Sequence, residues 1–202
     1  EVTALNASRH LSGLIMHAET SATLGALAEH RHGVARGHAN SVFVKVSSGV
    51  GAGIVLGDRL FHGSGGTAGE IGHLTLDENG PVCRCGSRGC LNTVVGAPAL
   101  IEVLRASRGS LTLRDIVALA VDGDPGCRQV VEDAGSTIGA VVAGLAIAVN
   151  PQCVVVGREP AETGEILLGP MREAIRRRVP RNHIAPPEGV GAELGPRPEV
   201  EG

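Results

Sequence analysis

The sequence predicts an α/β fold, because short β-branched segments alternate with longer segments of helical periodicity. The clearest strands are SVFVKVS at 41–47 and CVVV at 153–156. Phe43 and Phe61 are the only aromatic residues among 202, so the core must be built from Val, Leu, Ile and Ala. This length is enough for one large or two small domains.

The first half of the chain is expected to hold one helix and a group of strands. A helix is predicted from Ala22 to His30, because Leu24, Leu27 and Ala28 would share one face. Residues 9–15 are ambiguous. The segments that follow are predicted to be a loop at 31–40, the strand at 41–47, a glycine-rich turn at 48–53 and a hairpin at 54–61 closed by Gly57 and Asp58.

The second half is expected to be mainly helical. Helices are predicted at about 97–106, 112–121, 126–149 and 163–178, and the tail from Pro180 should hold one short strand or be partly disordered. The third of these helices is long and apolar, and Pro151 ends it. Its Gly135 and Gly139 would permit close packing of another helix, either within the domain or between subunits.

Composition and charge exclude several classes of function. The net charge of −3 carries no basic excess, which argues against a nucleic-acid-binding surface on this segment. No apolar run approaches the roughly 20 residues that span a bilayer, and the first residues lack the features of a secretory signal. We therefore expect a cytoplasmic location. Because the first residue is not Met, an amino-terminal part is expected to be missing.

The segment GEIGHLTLDENGPVCRCGSRGC predicts a structural zinc site. Zinc needs four tetrahedral ligands, and three clustered cysteines in a polar loop are typical of such a site. Gly86 and Gly89 would let the chain wrap back, and Arg84 and Arg88 would offset the thiolate charge. The alternative is a set of free, reduced cysteines, a description that suits Cys127 and Cys153. The predicted ligands are His73, Cys83, Cys85 and Cys90.

The segment SSGVGAG joins two predicted strands and offers a second candidate site. Its glycines would free backbone N–H groups to point at an anion, as in phosphate-binding loops. It matches neither the Walker pattern nor the dinucleotide fingerprint, because no helix follows. A tight hairpin is an equally good interpretation of the same residues.

Together, GVGAGIVLGDRLFHGSGGTAGEIGH and the later CRCGSRGCL closely resemble the ROK family of repressors and sugar kinases. The resemblance runs from about Gly13 to about Met171. It implies the actin-like ATPase fold of sugar kinases, with two α/β domains that are incomplete here and a zinc-containing loop at 62–95. Members are sugar kinases, or sugar-sensing repressors that add an amino-terminal helix-turn-helix.

The resemblance implies a set of sugar-binding residues, several of which are altered. The kinases carry a Glu-Asn-Asp-Ala-Asn motif whose Asp is the general base; the aligned segment here reads ETSAT, so Ser21 stands at the catalytic position and Thr20 at that of a sugar-binding Asn. A serine hydroxyl is too weak a base near neutral pH. Asn92 replaces a second sugar-binding Glu. Glu70 and His73 are retained, and His73 would ligate zinc through one ring nitrogen and face the sugar with the other.

The resemblance also implies that the nucleotide site is vestigial. The family's first phosphate loop, an Asp-x-Gly-Gly-Thr segment, is not found in the sequence. The glycine pair beneath the adenosine is replaced by Gly157-Arg158, and the long Arg158 side chain could fill that space. ATP and Mg²⁺ are therefore not expected. The phosphate- or nucleotide-binding residues that remain are Ser48, Gly49, Gly51, Gly53 and Gly157.

These features predict that residues 1–202 are the sugar-sensing and oligomerisation region of a catalytically inactive ROK transcriptional regulator. The expected partners are a small sugar or sugar phosphate, further copies of the chain in a homodimer or tetramer, and DNA only through a module outside this chain. No membrane partner is expected. The alternative is an ATP-dependent ROK sugar kinase of the glucokinase type, which would need the Asp that Ser21 replaces. A third interpretation is a decayed or purely structural protein.

Overall fold

A five-stranded mixed sheet lies at the centre of the computed structural model, which describes residues 20–180 and 187–193 apart from the side chain of Arg158. The strands are β1 (Ser41–Val46), β2 (Val50–Leu56), β3 (Arg59–Leu60), β4 (Cys153–Val156) and β5 (Glu188–Gly191). Their order is β3-β2-β1-β4-β5, in which β1–β2 and β2–β3 are antiparallel and β1–β4 and β4–β5 are parallel. The predicted α/β class is therefore confirmed.

Seven α-helices occur within the described ranges. They are α1 (Ser21–His32), α2 (Asn92–Val95), α3 (Ala97–Arg108), α4 (Leu113–Val121), α5 (Pro125–Val149), α6 (Arg158–Ala161) and α7 (Glu165–Arg178), and a 3₁₀ turn covers Ile71–His73. The five longer helices and the short strand of the tail confirm the sequence prediction. The two four-residue helices, α2 and α6, carry too little periodicity to be predicted. Residues 9–15 lie outside the described ranges.

Side chains point alternately to the two faces of the sheet along each strand, and this divides the core into two parts. Val42 and Val44 of β1 pack in the larger cluster with side chains of α3, α4, α5 and α7, which together form the helical layer and include Ile138 of α5. Phe43 points to the other face and packs with Ala26 of α1. Because successive strand residues point to opposite faces, one strand supplies both layers. Helix α1 thus covers one face of the sheet and the helical layer covers the other.

Helix α5 packs on α7 through its two small residues. A Cβ on Gly135 would overlap the carbonyl oxygen of Leu167, and a Cβ on Gly139 would lie 2.9 Å from Cβ of Ala174. The contact predicted from these glycines is therefore made within the chain. By length and composition α5 is the one helix of the described ranges that could cross a membrane, although the sequence contains no fully apolar run of that length. Half of the most apolar 18-residue stretch of α5 is buried inside the structure, so packing within the core accounts for the apolar composition of this helix.

The turn between β1 and β2 is shorter than predicted. The backbone N–H of Ser47 donates to the carbonyl oxygen of Gly49 over 2.8 Å, and β2 already begins at Val50. The prediction of a turn over 48–53 was therefore wrong for Gly51 and Gly53, which lie in the strand. Gly53 lacks a side chain because α1 crosses this part of β2: a Cβ on Gly53 would overlap the carbonyl oxygen of Ala22. The predicted hairpin at Gly57 and Asp58 is confirmed.

Candidate functional site

Four side chains of types that can bind a metal converge in the loop between β3 and α2. The potential ligand atoms of His73, Cys83, Cys85 and Cys90 all lie within 4.8 Å of one another. His73 Nδ1 is 3.6 Å from Cys83 Sγ, and Cys85 Sγ is 3.7 Å from Cys90 Sγ. The structure thus brings together the four residues singled out in the sequence, and they could hold a metal ion.

These spacings agree with a tetrahedral metal and not with a disulfide. With Zn–S bonds of about 2.3 Å and Zn–N bonds of about 2.05 Å, tetrahedral angles place two sulfurs about 3.8 Å apart and a sulfur and nitrogen about 3.6 Å apart. A disulfide would need about 2.05 Å between the sulfurs. The cysteines are free, and Cys83 and Cys90 are buried whereas Cys85 is exposed. The donor set of three sulfurs and one imidazole therefore fits zinc.

Tight local geometry folds the loop around these ligands. Gly86 and Gly89 both have positive φ, 93° and 56°, which glycine adopts without strain. A Cβ on Gly89 would also overlap the carbonyl oxygen of Asp77. Two isolated bridges, Thr75–Cys90 and Val82–Arg88, are the β-pairing seen within the loop. Most of segment 74–90 is exposed, so little apolar burial holds this shape.

The cysteines of the cluster differ in their ionisation. The Ser87 backbone, through a hydrogen bond, lowers the pKa of Cys85 to about 6. Burial raises the pKa of Cys90 to about 11, and the neighbouring Cys85 and Cys83 act in the same direction. Since thiolate is the form that binds metal, Cys85 is the ligand already prepared at neutral pH, and a bound cation would be needed to ionise Cys90.

A polar cavity of about 280 Å³ lies beside the cluster, between the start of α1 and the β1–β2 turn. This volume is close to the lower end of ligand pockets, about 300 Å³. The cluster and the cavity adjoin at Arg84, which follows Cys83 in sequence. The cavity is lined by Thr20, Ser21, Ala22, Lys45, Ser47, Ser48, Gly49, Val50, Gly51, Ala52, Gly69, Glu70, Arg84 and Asn92.

Four of the five predicted sugar-binding residues line this cavity: Thr20, Ser21, Glu70 and Asn92. Thr20 also caps α1, because its Oγ1 accepts the backbone N–H of Thr23 over 3.1 Å. The Oδ1 of Asn92 accepts the N–H of Val50 over 2.6 Å, which leaves its amide N–H₂ as the donor available to a ligand.

His73, the fifth predicted sugar-binding residue, does not line the cavity. Its Nδ1 faces Cys83, and its Nε2 lies 3.9 Å from Oε2 of Glu70. The ring therefore stands between the cysteines and a carboxylate of the cavity wall. It is placed to hold Glu70 in position rather than to form the wall itself.

The predicted nucleotide-binding residues separate into two groups. Ser48, Gly49 and Gly51 line the cavity, whereas Gly53 and Gly157 do not. Gly157 is buried, and a Cβ built on it would lie 3.4 Å from Cζ of Phe43. Of Arg158 the structure describes the backbone alone, so the predicted filling of the adenosine space by its side chain lies outside the described atoms.

Two charged residues of the cavity wall, Lys45 and Arg84, were not identified as ligand-binding from the sequence. Lys45 lies in β1 among residues that are otherwise buried. A single lysine within an apolar strand was the sequence feature that could have indicated a binding role. Arg84 was assigned only to balancing thiolate charge, yet it reaches the cavity wall. Arg88, which received the same assignment, donates to the carbonyl oxygen of Gly80 over 3.3 Å.

Comparisons with known proteins identify relatives among repressors and sugar kinases. The xylose repressor of Bacillus subtilis (strain 168) is 34% identical over 161 residues, which are 80% of this chain and 42% of the repressor. A ROK family glucokinase from Streptomyces griseus, solved in complex with glucose and AMPPNP, is similar with a TM-score of 0.83 and 27% identity, over 95% of this chain and 68% of the glucokinase. A ROK family transcriptional regulator, a homologue of the E. coli MLC protein, has a TM-score of 0.83 and 28% identity, over 95% of this chain and 52% of the regulator.

The relatives thus include both repressors and kinases, and this chain spans less than half of the repressor's length. The model of the ROK family itself matches residues 9–196, nearly the whole sequence. This chain therefore belongs to the ROK family.

Proposed function

We propose that the chain is the sugar-sensing and oligomerisation part of a ROK transcriptional regulator that has lost phosphoryl transfer. The observation that carries the proposal is Ser21, which stands at the first residue of α1 and lines the cavity. By the family resemblance this is the position of the catalytic Asp. The similarity to a xylose repressor and to a ROK regulator supports the same assignment. DNA binding would belong to a module outside this chain.

The chemistry of phosphoryl transfer explains why Ser21 matters. A base near the sugar hydroxyl takes its proton, and such help contributes about 10²–10⁴-fold to the rate. Among the described residues that line the cavity, Glu70 is the only carboxylate. Glu70 is one of the retained sugar-binding residues and lies beside His73, so its role is to accept a sugar hydroxyl. The hydroxyls of Thr20 and Ser21 and the amide of Asn92 supply further hydrogen bonds.

We further propose that the four-residue cluster holds a structural zinc ion. The sulfur and nitrogen spacings support this, as does the exposed loop, which has little apolar burial to hold it. The ion would fix the His73 ring and thereby Glu70. It would supply no step of a reaction, because all four of its positions are filled by protein ligands.

An assay of ADP release tests the loss of catalysis. The full chain is incubated with ATP, Mg²⁺ and common hexoses or N-acetylhexosamines, beside a Ser21→Asp variant. We expect no turnover by the unmodified chain. Turnover comparable to that of a ROK glucokinase would overturn the regulator assignment. Activity confined to Ser21→Asp would support it, because the restored base would then account for the difference.

Sugar binding is tested separately by calorimetry. We expect Glu70→Gln to weaken sugar binding, because a neutral amide accepts a sugar hydroxyl less strongly than a carboxylate does. Glu102→Gln is the matched control, since Glu102 is an exposed glutamate of α3 that pairs with Arg105 over 2.9 Å outside this cavity. Equal weakening by both variants would contradict the assignment of Glu70.

The second candidate function is an ATP-dependent sugar kinase. The similarity to the Streptomyces griseus glucokinase and the Ser48–Gly49 turn in the cavity wall favour it. The same ADP-release assay decides between the two functions.

We also propose a homodimer or tetramer, carried over from the family resemblance. The face of α5 around Gly139 can no longer support that assembly, because α7 covers it. Sedimentation of the full chain tests the assembly, and a monomer at micromolar concentration would contradict it.

A further inference from the structure

We propose that Cys85 is a redox-sensitive thiol that hydrogen peroxide oxidises, and that it then forms a disulfide with Cys90 and so releases the metal ion. This regulation rests on the zinc site proposed above.

The five cysteines differ in their access to solvent. All of them lie within the described residues, and Cys85 alone is exposed. Cys83 and Cys90 are buried in the loop, and Cys127 and Cys153 are buried in the two core clusters. Oxidation of a thiol requires that the oxidant reach its sulfur. Cys85 should therefore react first.

Cys90 stands beside Cys85 as the partner for a disulfide. Their sulfurs are 3.7 Å apart, so they must approach by about 1.7 Å to form a bond. The backbone of Cys90 is held in a bridge with Thr75. Cys85 lies in an exposed turn, in which the N–H of Gly86 donates to the carbonyl oxygen of Cys83 over 2.9 Å. A Cβ on Gly86 would meet nothing within 4 Å, so this turn has room to move.

The oxidation proceeds in two balanced steps. A cysteine that binds a metal is a thiolate. The sulfur of Cys85 attacks one oxygen of the peroxide, the O–O bond breaks, and the hydroxide that leaves takes a proton to become water. Cys85 is then a sulfenic acid. The thiolate of Cys90 attacks this sulfur, the S–O bond breaks, and a second hydroxide leaves and becomes water. The two thiolates have lost two electrons, and the peroxide has gained them.

The disulfide would undo the clip that holds the loop. It leaves only His73 and Cys83 as ligands, which are too few for a structural zinc site. The metal clip joins residues 73 and 90, whereas the disulfide joins only 85 and 90. The His73 ring would lose its attachment, and Glu70, whose Oε2 lies 3.9 Å from His73 Nε2, would lose its neighbour's fixed position. Peroxide would thus loosen the cavity wall.

The test treats the full, zinc-loaded chain with hydrogen peroxide. Alkylation and mass spectrometry count the free thiols and map the disulfide, and a chromogenic chelator measures the zinc released. We expect the loss of two of the five thiols, a disulfide between Cys85 and Cys90, and release of the bound zinc. A reductant together with added zinc should reverse all three changes.

Limited digestion with trypsin reports the state of the loop. Arg84 and Arg88 are exposed and lie between the cysteines, so each offers a cleavable bond. Cleavage at both should become faster after oxidation and slow again after reduction with zinc. Arg114, an exposed arginine of α4, is the control and should be cleaved at an unchanged rate.

Two variants assign the oxidation to Cys85. Cys85→His removes the reactive sulfur but keeps a zinc ligand, since two cysteines and two histidines also form structural zinc sites. It should retain zinc and its remaining four thiols at a peroxide dose that oxidises the unmodified chain. Cys127→Ser is the matched control, because Cys127 lies in the core, and it should lose two thiols and zinc as the unmodified chain does.

Several results would overturn the inference. They are retention of zinc by the peroxide-treated chain, a disulfide that involves Cys83, a sulfinic acid in place of a disulfide, and oxidation of Cys85→His at the rate of the unmodified chain. Absence of zinc from the untreated chain would overturn the zinc site and the inference together. Zinc that is present but not released would overturn the inference alone.

Discussion

Replacing Gly53 with Ala should force helix α1 away from strand β2. A Cβ on Gly53 would overlap the carbonyl oxygen of Ala22 and lie 2.5 Å from Cβ of Ala26. Ordinary contact begins at 3.4 Å, so the two carbons would be about 0.9 Å too close. Two positions earlier on the same strand face, a Cβ on Gly51 would meet Cβ of Ala22 at 3.5 Å, which is an ordinary contact.

The two substitutions share one energetic contribution and differ in another. Alanine in place of glycine within a strand stabilises by about 0.5–1 kcal/mol, because the unfolded chain loses freedom. Overpacking a close contact costs about 1–3 kcal/mol. Gly51→Ala should therefore stabilise by about 0.5–1 kcal/mol, and Gly53→Ala should destabilise by about 0.5–2 kcal/mol. The difference between the variants isolates the steric cost.

Urea unfolding measured by far-ultraviolet circular dichroism gives both values. The chain has no Trp and no Tyr, so intrinsic fluorescence would report poorly. The slope of the free energy of unfolding against urea concentration should be equal for the two variants, which would show that both expose the same surface area on unfolding. If Gly53→Ala proved as stable as Gly51→Ala within about 0.5 kcal/mol, the reasoning from close approach of α1 would be refuted.

Three further predictions concern the metal cluster, the helical layer and acid stability. We expect elemental analysis to find one zinc ion per chain, and Cys90→Ser should abolish it and lower the melting temperature, whereas substitution of the equally buried Cys127 by Ser should keep it; retention of zinc by Cys90→Ser would contradict the site. Gly135→Ala should destabilise by about 1–2 kcal/mol in urea unfolding, and Gly144→Ala, with nothing within 4 Å, should stabilise by up to about 1 kcal/mol; equal effects would count against the α5–α7 contact. The N–H of Cys127 lowers the pKa of Asp124, so Asp124 stabilises the folded state above its unfolded pKa of about 3.9 and loses that effect as pH falls through the folded pKa. Asp124→Asn should thus be less stable at neutral pH and lose less stability on acidification, as thermal melts from neutral pH to about pH 2 can test.

The sequence predicted best what is encoded by neighbouring residues. The long helices follow from periodicity, and the metal cluster follows from cysteines two and five residues apart in a loop with turning glycines. His73, ten residues before Cys83, was predicted as the fourth ligand from across the loop, and its spacing to the cysteines fits the family pattern.

Features that depend on distant segments were not predictable. The reason for Gly53 lies in α1, which precedes it by about thirty residues, so the glycine was interpreted as part of a turn. Lys45 and Arg84 meet at one cavity although one belongs to the sheet and the other to the loop. No local pattern encodes such a meeting, because it arises only when both elements pack on the same edge of the fold.

If the cysteines hold a metal ion and the cavity holds a ligand, Arg84 would join the two binding equilibria, because it lies between Cys83 and Cys85 and lines the cavity. An ion held by the cysteines would order the backbone that carries the guanidinium, and a ligand paired with the guanidinium would order the same backbone from the other side. Thermodynamic linkage then requires each to raise the affinity for the other by the same factor. The metal would act as a silent co-effector: depletion of zinc would shift the response to the carbohydrate toward higher concentrations without any change in the cavity's own residues.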